Sequence, residues 1–289
     1  MLSDILVFGL LNGAVYAMLA IGFSLIFGAA RIFNLAHTAY FMLGAYAVFY
    51  FGATLNFSPF LAIPLSVAVV VLIGIVIYYI FMEPLRGHEA AMRIVTVALA
   101  LVIQESVLIV FGGHFHGVPS IVSGHVSPMG IRISYQYLLT LGVVSFALVG
   151  VWYLLMKTRL GLSIRSMAQD REVANLMGMN IGRIAAATMA ISVGLAAVAG
   201  VMVAPLYILE PSMWLGPLVL IMATVILGGL GSIKGSFFGA LIIAFVEVIV
   251  IFTMPGGAFL RVAIALAIML IILIVRPEGL FGVYMEGER

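Results

Sequence analysis

The sequence has 289 residues, of which 65% are hydrophobic and 8% are charged, whereas a soluble domain has about 25% charged residues. So little polar surface could not cover an apolar core of this size in water, so the composition excludes a water-soluble protein and indicates an integral membrane protein. The net charge of +2 comes from Lys and Arg scattered in short loops, which excludes a basic nucleic-acid-binding face. The absence of Cys excludes disulfides, thiolate chemistry and Cys-based metal sites.

Nine apolar segments are predicted to cross the membrane. A crossing helix needs roughly 20 apolar residues, because about 30 Å of hydrocarbon is spanned at 1.5 Å per residue. Segments of this kind lie near residues 5–29, 36–54, 60–82, 94–112, 135–156, 185–209, 214–230, 236–254 and 258–275. The start "MLSDILVFGLLNG" is acidic and has no cleavage pattern, so it is interpreted as the first span. The fourth segment could instead be re-entrant. We therefore expect one all-α, polytopic helical membrane domain over 1–289, with about nine (8–10) transmembrane segments.

The distribution of Lys and Arg predicts the orientation, because positive residues are retained on the cytoplasmic side. Alternating nine spans leaves two of these residues outside, Arg132 and Arg261. The remaining eleven fall inside: Arg31, Arg86, Arg93, Lys157, Arg159, Arg165, Arg171, Arg183, Lys234, Arg276 and Arg289. This predicts an outer N-terminus and a cytoplasmic C-terminus. It also supports an odd number of spans, since one helix more or less would divide the basic residues between both faces.

The predicted outer loops contain polar residues that could serve binding. Three of the five His lie in the segment 112–134, at positions 114, 116 and 125, but neither Cys nor carboxylate accompanies them, so no metal site is predicted. In "APLYILEPSMWLGP", residues 204–217, Tyr207 and Trp214 are placed at the depth of an aromatic belt. Glu210 in the same turn is expected to be a solvated loop charge, or else a contact for a basic patch on a binding protein.

One cytoplasmic loop, residues 157–184, concentrates charge. Gly161 predicts a break, residues 162–177 a helix, and Gly178 its end. Arg165, Gln169 and Glu172 would lie on or near one face at spacings of four and three. The apolar flank would consist of Ile164, Met167, Ala168, Val173, Leu176 and Met177. A short amphipathic helix under the membrane is expected, and by itself this pattern is also typical of a helix that only touches lipid phosphates.

Several motifs resemble one family of permeases. "EVANLMG" at 172–178 resembles the E-A-A-x-x-x-G loop of ABC importer permeases, with Val173 replacing one Ala. The wider string "TRLGLSIRSMAQDREVANLMGMNIGRI" at 158–184 resembles the loop of LivH-type permeases of branched-chain amino acid ABC importers. "NLAHTAYFMLGAY" at 34–46, "ILGGLGSIKGSFFGALIIAFVE" at 226–247 and "RPEGLFG" at 276–282 are similar to other segments of that family, so the resemblance covers nearly the whole chain. Thr38 and Tyr40 depart from it, since Gly and an acidic residue are common at these positions.

The resemblance implies a non-catalytic permease subunit in the cell inner membrane. Its implied partners are a second, LivM-like permease, two cytoplasmic ATPases that bind ATP and Mg, an extracytoplasmic substrate-binding protein and the lipid bilayer. It also implies that the charged loop couples ATPase closure to the spans. The residues assigned to ATPase coupling are Arg165, Gln169, Asp170, Arg171, Glu172, Ala174 and Gly178.

Polar residues within apolar segments are candidates for the substrate pathway, because such groups need a partner, a cavity or a helix break in hydrocarbon. The pathway candidates are Asn12, Asn34, His37 and Tyr40. For His37 a helix cap or an interhelical hydrogen bond is the favoured alternative. Glu105 and Glu247 have no nearby basic residue in sequence, so each requires a distant partner or a proton.

Glycines at spacing four predict close helix packing. Gly231, Gly235 and Gly239 form one such stripe, and Gly9, Gly13 and Ala17 form another. "GGLGSIKGS" at 228–236 has the wrong order for a phosphate loop and follows a membrane helix, so no nucleotide or other cofactor site is predicted in this chain.

Taken together, the sequence predicts inward movement of branched-chain or other apolar amino acids by alternating access, driven by partner ATPases. The alternatives are a urea or short-amide ABC permease of the same group, and a secondary transporter driven by an ion gradient. An intramembrane enzyme is disfavoured, because no Ser–His pair, Asp pair or His-x-x-x-His set lies within adjacent spans.

Overall fold

A computed structural model describes residues 2–127 and 132–281 of the chain. Over these ranges the protein is all-α, as predicted, with one small antiparallel pair of strands, His125–Val126 (β1) and Ile133–Ser134 (β2). The helices are Leu2–Ala30 (α1), His37–Val48 (α2), Pro59–Ile77 (α3), Glu89–Phe111 (α4), Tyr135–Lys157 (α5), Arg159–Gln169 (α6), Arg171–Leu176 (α7), Ile181–Val203 (α8), Leu215–Gly228 (α9), Ile233–Thr253 (α10) and Gly257–Val275 (α11). The predicted ending at Gly282 and the charge of Arg289 lie outside the described residues.

Each predicted span falls on a helix, but not all of these helices are long enough to cross a membrane. In the described ranges, seven helices have the length and apolar composition to cross a membrane, which confirms a polytopic membrane protein. The α2 helix has 12 residues and continues through a π-helical turn, Phe49–Thr54, while α9 has 14 residues. The segment predicted as possibly re-entrant is the continuous 23-residue helix α4, which is long enough to cross. The exact number of nine crossings stays a prediction.

The α8 helix lies at the centre of the bundle. It packs against α1, α2, α3 and α5, and most of its surface is buried. The α10 helix packs against α1, α9 and α11 on the other side of α1. In contrast, few residues of α11 are fully buried, and apolar side chains such as Phe259 and Ile274 lie on its exposed surface. A helix that is apolar all round and poorly buried by its own chain is suited to lipid or to a membrane partner.

Two of the three glycines in the predicted stripe lie between closely packed helices. A Cβ on Gly235 of α10 would lie 1.9 Å from the Gly228 carbonyl oxygen, and one on Gly239 would lie 2.5 Å from that of Thr224. Gly231 differs, because it precedes α10 in a turn with a φ of +80° and approaches Gly28 of α1. The stripe is therefore a two-residue contact of α10 with α9, plus a separate turn glycine.

The helix ends divide the molecule into two ends with different charge. One end is formed by the turns 31–36, 83–88 and 229–232 and by the charged loop 157–184, and we call it the basic end. A Cβ on Gly182 would lie 3.2 Å from Glu83 Oε1, and one on Gly28 would lie 3.0 Å from the Gly231 carbonyl oxygen. At the opposite end, the segment 112–127 and the segment 204–214 join through hydrogen bonds between His116 and Leu209. These contacts bring the turn 83–88 beside residue 182, and the end of α1 beside the turn 229–232.

Candidate functional site

The first helix of the charged loop, α6, begins two residues before the predicted break at Gly161. The α6 helix starts at Arg159, because the side chain of Thr158 accepts a hydrogen bond of 3.0 Å from the Gly161 N–H and caps the helix. The predicted break at Gly161 is wrong, since this glycine lies in the first turn of α6. A Cβ at this position would lie 2.2 Å from the Leu154 carbonyl oxygen of α5. Gly161 therefore permits close contact between α6 and α5.

The predicted single helix over 162–177 is also wrong, because Asp170 divides it in two. Asp170 has extended backbone angles, with φ −151° and ψ 112°. Its Oδ1 accepts hydrogen bonds from the backbone N–H groups of Glu172 at 2.9 Å and Val173 at 3.0 Å. A carboxylate that satisfies two free N–H groups in this way favours a new helix start over continuation of the old helix. The loop is therefore a pair of helices, α6 and α7.

Gly178 ends α7, as predicted for a helix terminus. Its φ of +80° is a left-handed conformation that glycine adopts without a steric cost. The backbone N–H of Met179 donates to the Ala174 carbonyl at 3.1 Å, and that of Gly178 donates to Asn175 at 3.0 Å. The first of these bonds is the wide loop of a Schellman ending. Chain direction after α7 is thus fixed by one glycine.

The two helices bury one side and expose the other. Ile164, Met167 and Ala174 are buried, and α6 packs against α1, α5 and α8. The exposed side combines charge with large apolar groups, and we call it the docking face: Arg165, Gln169, Asp170, Glu172, Val173, Leu176 and Met177. Leu176 is 85% exposed and Met177 is 76% exposed. Of the predicted apolar flank, Ile164 and Met167 are therefore buried against the bundle, whereas Leu176 and Met177 lie on the docking face.

Arg171 points back toward the bundle and is only half-exposed. Burial lowers the pKa of its guanidinium, and the neighbouring cation of Arg86 lowers it further. Arg86 is itself bonded to the carboxylate of Glu83 and to the hydroxyl of Tyr78. The turn between α3 and α4 thus forms a charged support beside α7. Arg86, Arg171 and Asn180 line a shallow cleft between them. Sequence reasoning missed this support, although the i,i+3 spacing in "EPLR" at 83–86 was a signal for an ion pair.

Three of the four pathway candidates lie in the protein core. Asn34, His37 and Tyr40 are all fully buried. His37 Nε2 lies 3.0 Å from the Leu19 carbonyl oxygen, and its Nδ1 lies 3.3 Å from the Ser192 hydroxyl. Asn34 Oδ1 accepts the backbone N–H of Ala36 at 3.1 Å. For His37 the structure therefore has the interhelical hydrogen bond that was the alternative to substrate contact.

Asn12 differs from the other candidates because it lines a cavity. This cavity has a volume of about 270 Å³ and lies toward the opposite end, among α1, α2, α5, α8, α9, α11 and the segment 204–214. Its apolar wall includes Leu11, Val15, Phe41 and Leu220. The polar groups that line it are Asn12, Tyr16, Tyr137, Thr140, Tyr207, Glu210, Ser212 and Arg261. Sequence reasoning did not bring these polar residues together, because they come from four separate parts of the chain.

An ion pair with one buried partner lies at the side of the cavity. Glu247 of α10 is fully buried, and its Oε1 is 2.9 Å from Arg261 Nη1 of α11. The Tyr16 hydroxyl donates to Glu247 Oε2 at 2.6 Å. Glu247 thus has the distant partners that its sequence position required. Glu105 in α4 lies on the exposed surface instead.

At the opposite end, the positions of Trp214 and Glu210 differ from the predicted ones. Trp214 is buried, with 3% exposure, and its Nε1 donates to Gln104 Oε1 at 2.7 Å, so its predicted place in an aromatic belt is wrong. Glu210 is partly buried and lines the cavity. His116 packs its ring against Phe49 and bonds the Phe111 carbonyl. Across residues 2–127 and 132–281, no three His or carboxylate side chains form a group suited to a metal.

Comparisons with known proteins identify the family. The model of the family described as "Branched-chain amino acid transport system / permease component" matches residues 5–275. The chain is 27% identical to the permease protein BraD of Pseudomonas aeruginosa, over 96% of this chain and 94% of BraD. It is 25% identical to LivH of Escherichia coli, over 95% of this chain and 93% of LivH. It is 26% identical to a probable LivH of Methanocaldococcus jannaschii, over 92% and 88% of the two chains.

A solved structure has a similar fold. PsaBC from Streptococcus pneumoniae in complex with Fab matches with a TM-score of 0.55 and 13% identity, over 96% of this chain and 97% of that chain. At this identity the likeness shows the shared fold alone. The family match, in contrast, extends over nearly every helix of the bundle, α6, α7 and the cavity-lining segments included. The chain therefore belongs to the permease component family of the branched-chain amino acid transport systems.

Proposed function

We propose that this chain is the membrane permease subunit of a binding-protein-dependent ABC importer, which moves a branched-chain or other apolar amino acid inward by alternating access. Relatives with this substrate in their names, BraD and LivH, support the substrate class. The observation that carries the proposal is the α6–α7 unit. It is fixed to the bundle on one side and presents charged and apolar groups on the other.

The docking face is suited to bind a cytoplasmic ATPase. Val173, Leu176 and Met177 are exposed apolar anchors, and Arg165 and Glu172 give the surface charge of both signs. Because the underside of α6 packs on α1, α5 and α8, a displacement of the docking face moves these helices with it. Closure of an ATPase dimer would thus reorient the spans without any chemistry in the permease.

ATP and Mg are assigned to two partner ATPases. The Gly-rich segment of this chain connects the helices α9 and α10 through residues 229–232, whereas a phosphate loop follows a buried strand. Further partners in the proposal are a second, LivM-like permease and an extracytoplasmic binding protein. The exposed apolar helix α11 is available to lipid or to that permease. The basic end is assigned to the cytoplasm, with the N-terminus outside, because positive residues concentrate there.

The structure argues against a carrier driven by an ion gradient. A proton relay needs linked titratable groups in the pathway, but Glu247 is held by Arg261 and Tyr16, and Glu105 lies on the exposed surface. A neutral urea or amide is also a poorer match than an amino acid. The cavity presents both a carboxylate, Glu210, and a guanidinium, Arg261, which suit a zwitterion.

Reconstitution tests the proposed function. The complete transporter with its permeases, ATPases and binding protein is placed in proteoliposomes, and uptake of labelled L-leucine is measured with ATP, without ATP, and with a proton or sodium gradient alone. We expect uptake only with ATP. Uptake that follows an ion gradient in the absence of ATP would contradict the proposal.

A further inference from the structure

We propose that the cavity at the opposite end is a binding site for an amino-acid zwitterion, with Arg261 holding the α-carboxylate, Glu210 holding the α-ammonium and the apolar wall holding the side chain. This inference rests on the proposed function and assigns the residues that recognise its substrate. None of the residues of the charged loop takes part in it.

The size of the cavity suits a single small solute. Sites for drug-sized ligands have volumes of about 300 to 1,000 Å³, and this cavity has about 270 Å³. A peptide would exceed it, whereas one amino acid fits. Leu11, Val15, Leu19, Phe41 and Leu220 form a continuous apolar wall from α1, α2 and α9, which favours aliphatic side chains over polar ones.

Arg261 has unused capacity for a carboxylate. A guanidinium carries five N–H donors in a planar fork, and the structure gives Arg261 a single charged contact, at 2.9 Å to Glu247. No carbonyl or side chain in the described parts of the chain accepts a hydrogen bond from it. Its side chain is 41% exposed, and it lines the cavity. The fork can therefore bind a carboxylate from the cavity while Glu247 holds its other side.

Glu247 makes this arrangement possible. An unpaired Arg in an apolar setting would be strongly unfavourable, and the fully buried Glu247 offsets that charge. Tyr16, which also lines the cavity, fixes the second carboxylate oxygen at 2.6 Å. Glu247 thus positions Arg261 and neutralises its charge. The carboxylate of the ligand would bind Arg261 in addition to Glu247 and would not displace it.

The ammonium end of the ligand has a separate partner. Glu210 lines the cavity from the 204–214 segment, where its backbone carbonyl accepts the N–H of Met213. The structure records no cation paired with its carboxylate within residues 2–127 and 132–281. Asn12 adds an amide that can donate or accept. Arg261 of α11 and Glu210 of the segment 204–214 therefore favour a ligand with one negative and one positive group.

The test measures KM for ATP-driven uptake of L-leucine by the complete transporter in proteoliposomes. Arg261→Lys keeps the positive charge beside Glu247 but removes the planar fork, and Glu210→Gln keeps the size of the side chain but removes its charge. We expect each substitution to raise KM roughly 10-fold or more, because a charge-assisted hydrogen bond is lost. Gly216→Leu adds bulk to the cavity wall where a Cβ meets no atom within 4 Å, and the same loss is expected.

A matched control and two competitors complete the design. Gly142→Leu makes the same change on α5, also with no atom within 4 Å and away from the cavity, and should keep the wild-type KM. Leucine uptake is competed with 3-methylbutylamine, which lacks the carboxylate, and with 4-methylpentanoate, which lacks the ammonium. Both should compete poorly in the wild type. Glu210→Gln should reduce the preference of the transporter for leucine over 4-methylpentanoate, but not its preference for leucine over 3-methylbutylamine.

The outcomes separate the two proposals. If the wild type takes up leucine with ATP but all three cavity variants keep its KM, the zwitterion site is overturned and the importer function stands. If the wild type shows no ATP-driven leucine uptake, the proposed function itself fails, and the zwitterion site falls with it. A raised KM in the cavity variants with a normal Gly142→Leu control supports the site.

Discussion

Asp170 caps the helix that carries Val173, because its Oδ1 accepts the Val173 backbone N–H at 3.0 Å. This single carboxylate decides that the charged loop contains two helices. The short helix α7 has six residues, too few to be stable by itself, so its position depends on the cap at one end and on Gly178 at the other. The docking face is therefore set by backbone capping as well as by packing.

Loss of the cap should loosen α7. Asp170→Ala removes the acceptor for two N–H groups, and we expect α7 to lose about 1 kcal/mol of local stability. The measurement is hydrogen–deuterium exchange of the amides of residues 171–177, which should exchange faster in the variant. Asp170→Asn keeps a capping oxygen and is the matched control. Equal protection in Asp170→Ala and wild type would contradict the capping role.

A charge reversal on the docking face should uncouple the transporter. Glu172 is exposed on α7, outside the apolar segments, so Glu172→Lys should leave insertion intact. We expect ATP-driven uptake to fall several-fold while the protein still assembles in the membrane, because the interface with the ATPase loses a charge complement. The control is Glu89→Lys, an exposed carboxylate at the same end but outside the loop. Wild-type uptake in Glu172→Lys, or an equal loss in Glu89→Lys, would count against the docking face.

The end of α7 should tolerate alanine better than proline. Gly178 has a φ of +80° and donates its N–H to Asn175. Gly178→Ala would adopt this conformation at a cost of about 1 kcal/mol, whereas Gly178→Pro fixes φ near −65° and removes the donor. We expect uptake to be reduced modestly in the first and abolished in the second, with both proteins inserted. A fully active Gly178→Pro variant would show that the chain direction after α7 is unimportant for coupling.

Close packing between α9 and α10 should be sensitive to bulk. Gly235→Leu would force a side chain against the Gly228 carbonyl, which a Cβ would approach to 1.9 Å. We expect poor assembly and a lowered melting temperature in detergent, since association in lipid depends on such contacts. Gly150→Leu on the exposed face of α5 is the control, because no atom lies within 4 Å of a Cβ there. Normal stability of Gly235→Leu would exclude a tight contact.

Local signals in the sequence predicted local structure well. The apolar runs predicted the helices, because length and hydropathy are properties of each segment by itself. Gly178 predicted the end of α7, since a left-handed terminus favours glycine. Asp170 was not recognised as a cap, because a charged residue within an amphipathic period is equally compatible with an exposed position in an unbroken helix. Whether the helix continues or restarts at Asp170 depends on whether its carboxylate accepts hydrogen bonds from the backbone.

Relationships between distant residues were outside the reach of the sequence. The partners of Glu247 are Arg261, on the next helix, and Tyr16, which is 231 positions earlier. The cavity combines residues of α1, α2, α5, α8, α9, α11 and the segment 204–214, so only the packed bundle defines it. Polarity in an apolar segment singled out Asn12 and His37 equally, and only their surroundings separate a cavity residue from a buried interhelical contact.

The central claim is that a separate motor acts on this bundle through the docking face at the cytoplasmic surface, and the side of the membrane on which α7 lies tests it most directly. The chain has no natural Cys, so Met177→Cys, at a position 76% exposed, gives one label site, and Phe115→Cys, 73% exposed at the opposite end, is the control. A membrane-impermeant maleimide is applied to right-side-out vesicles before and after lysis. We expect Phe115→Cys to be labelled at once and Met177→Cys only after lysis. Labelling of Met177→Cys in sealed vesicles would place the docking face outside and exclude its contact with a cytoplasmic ATPase.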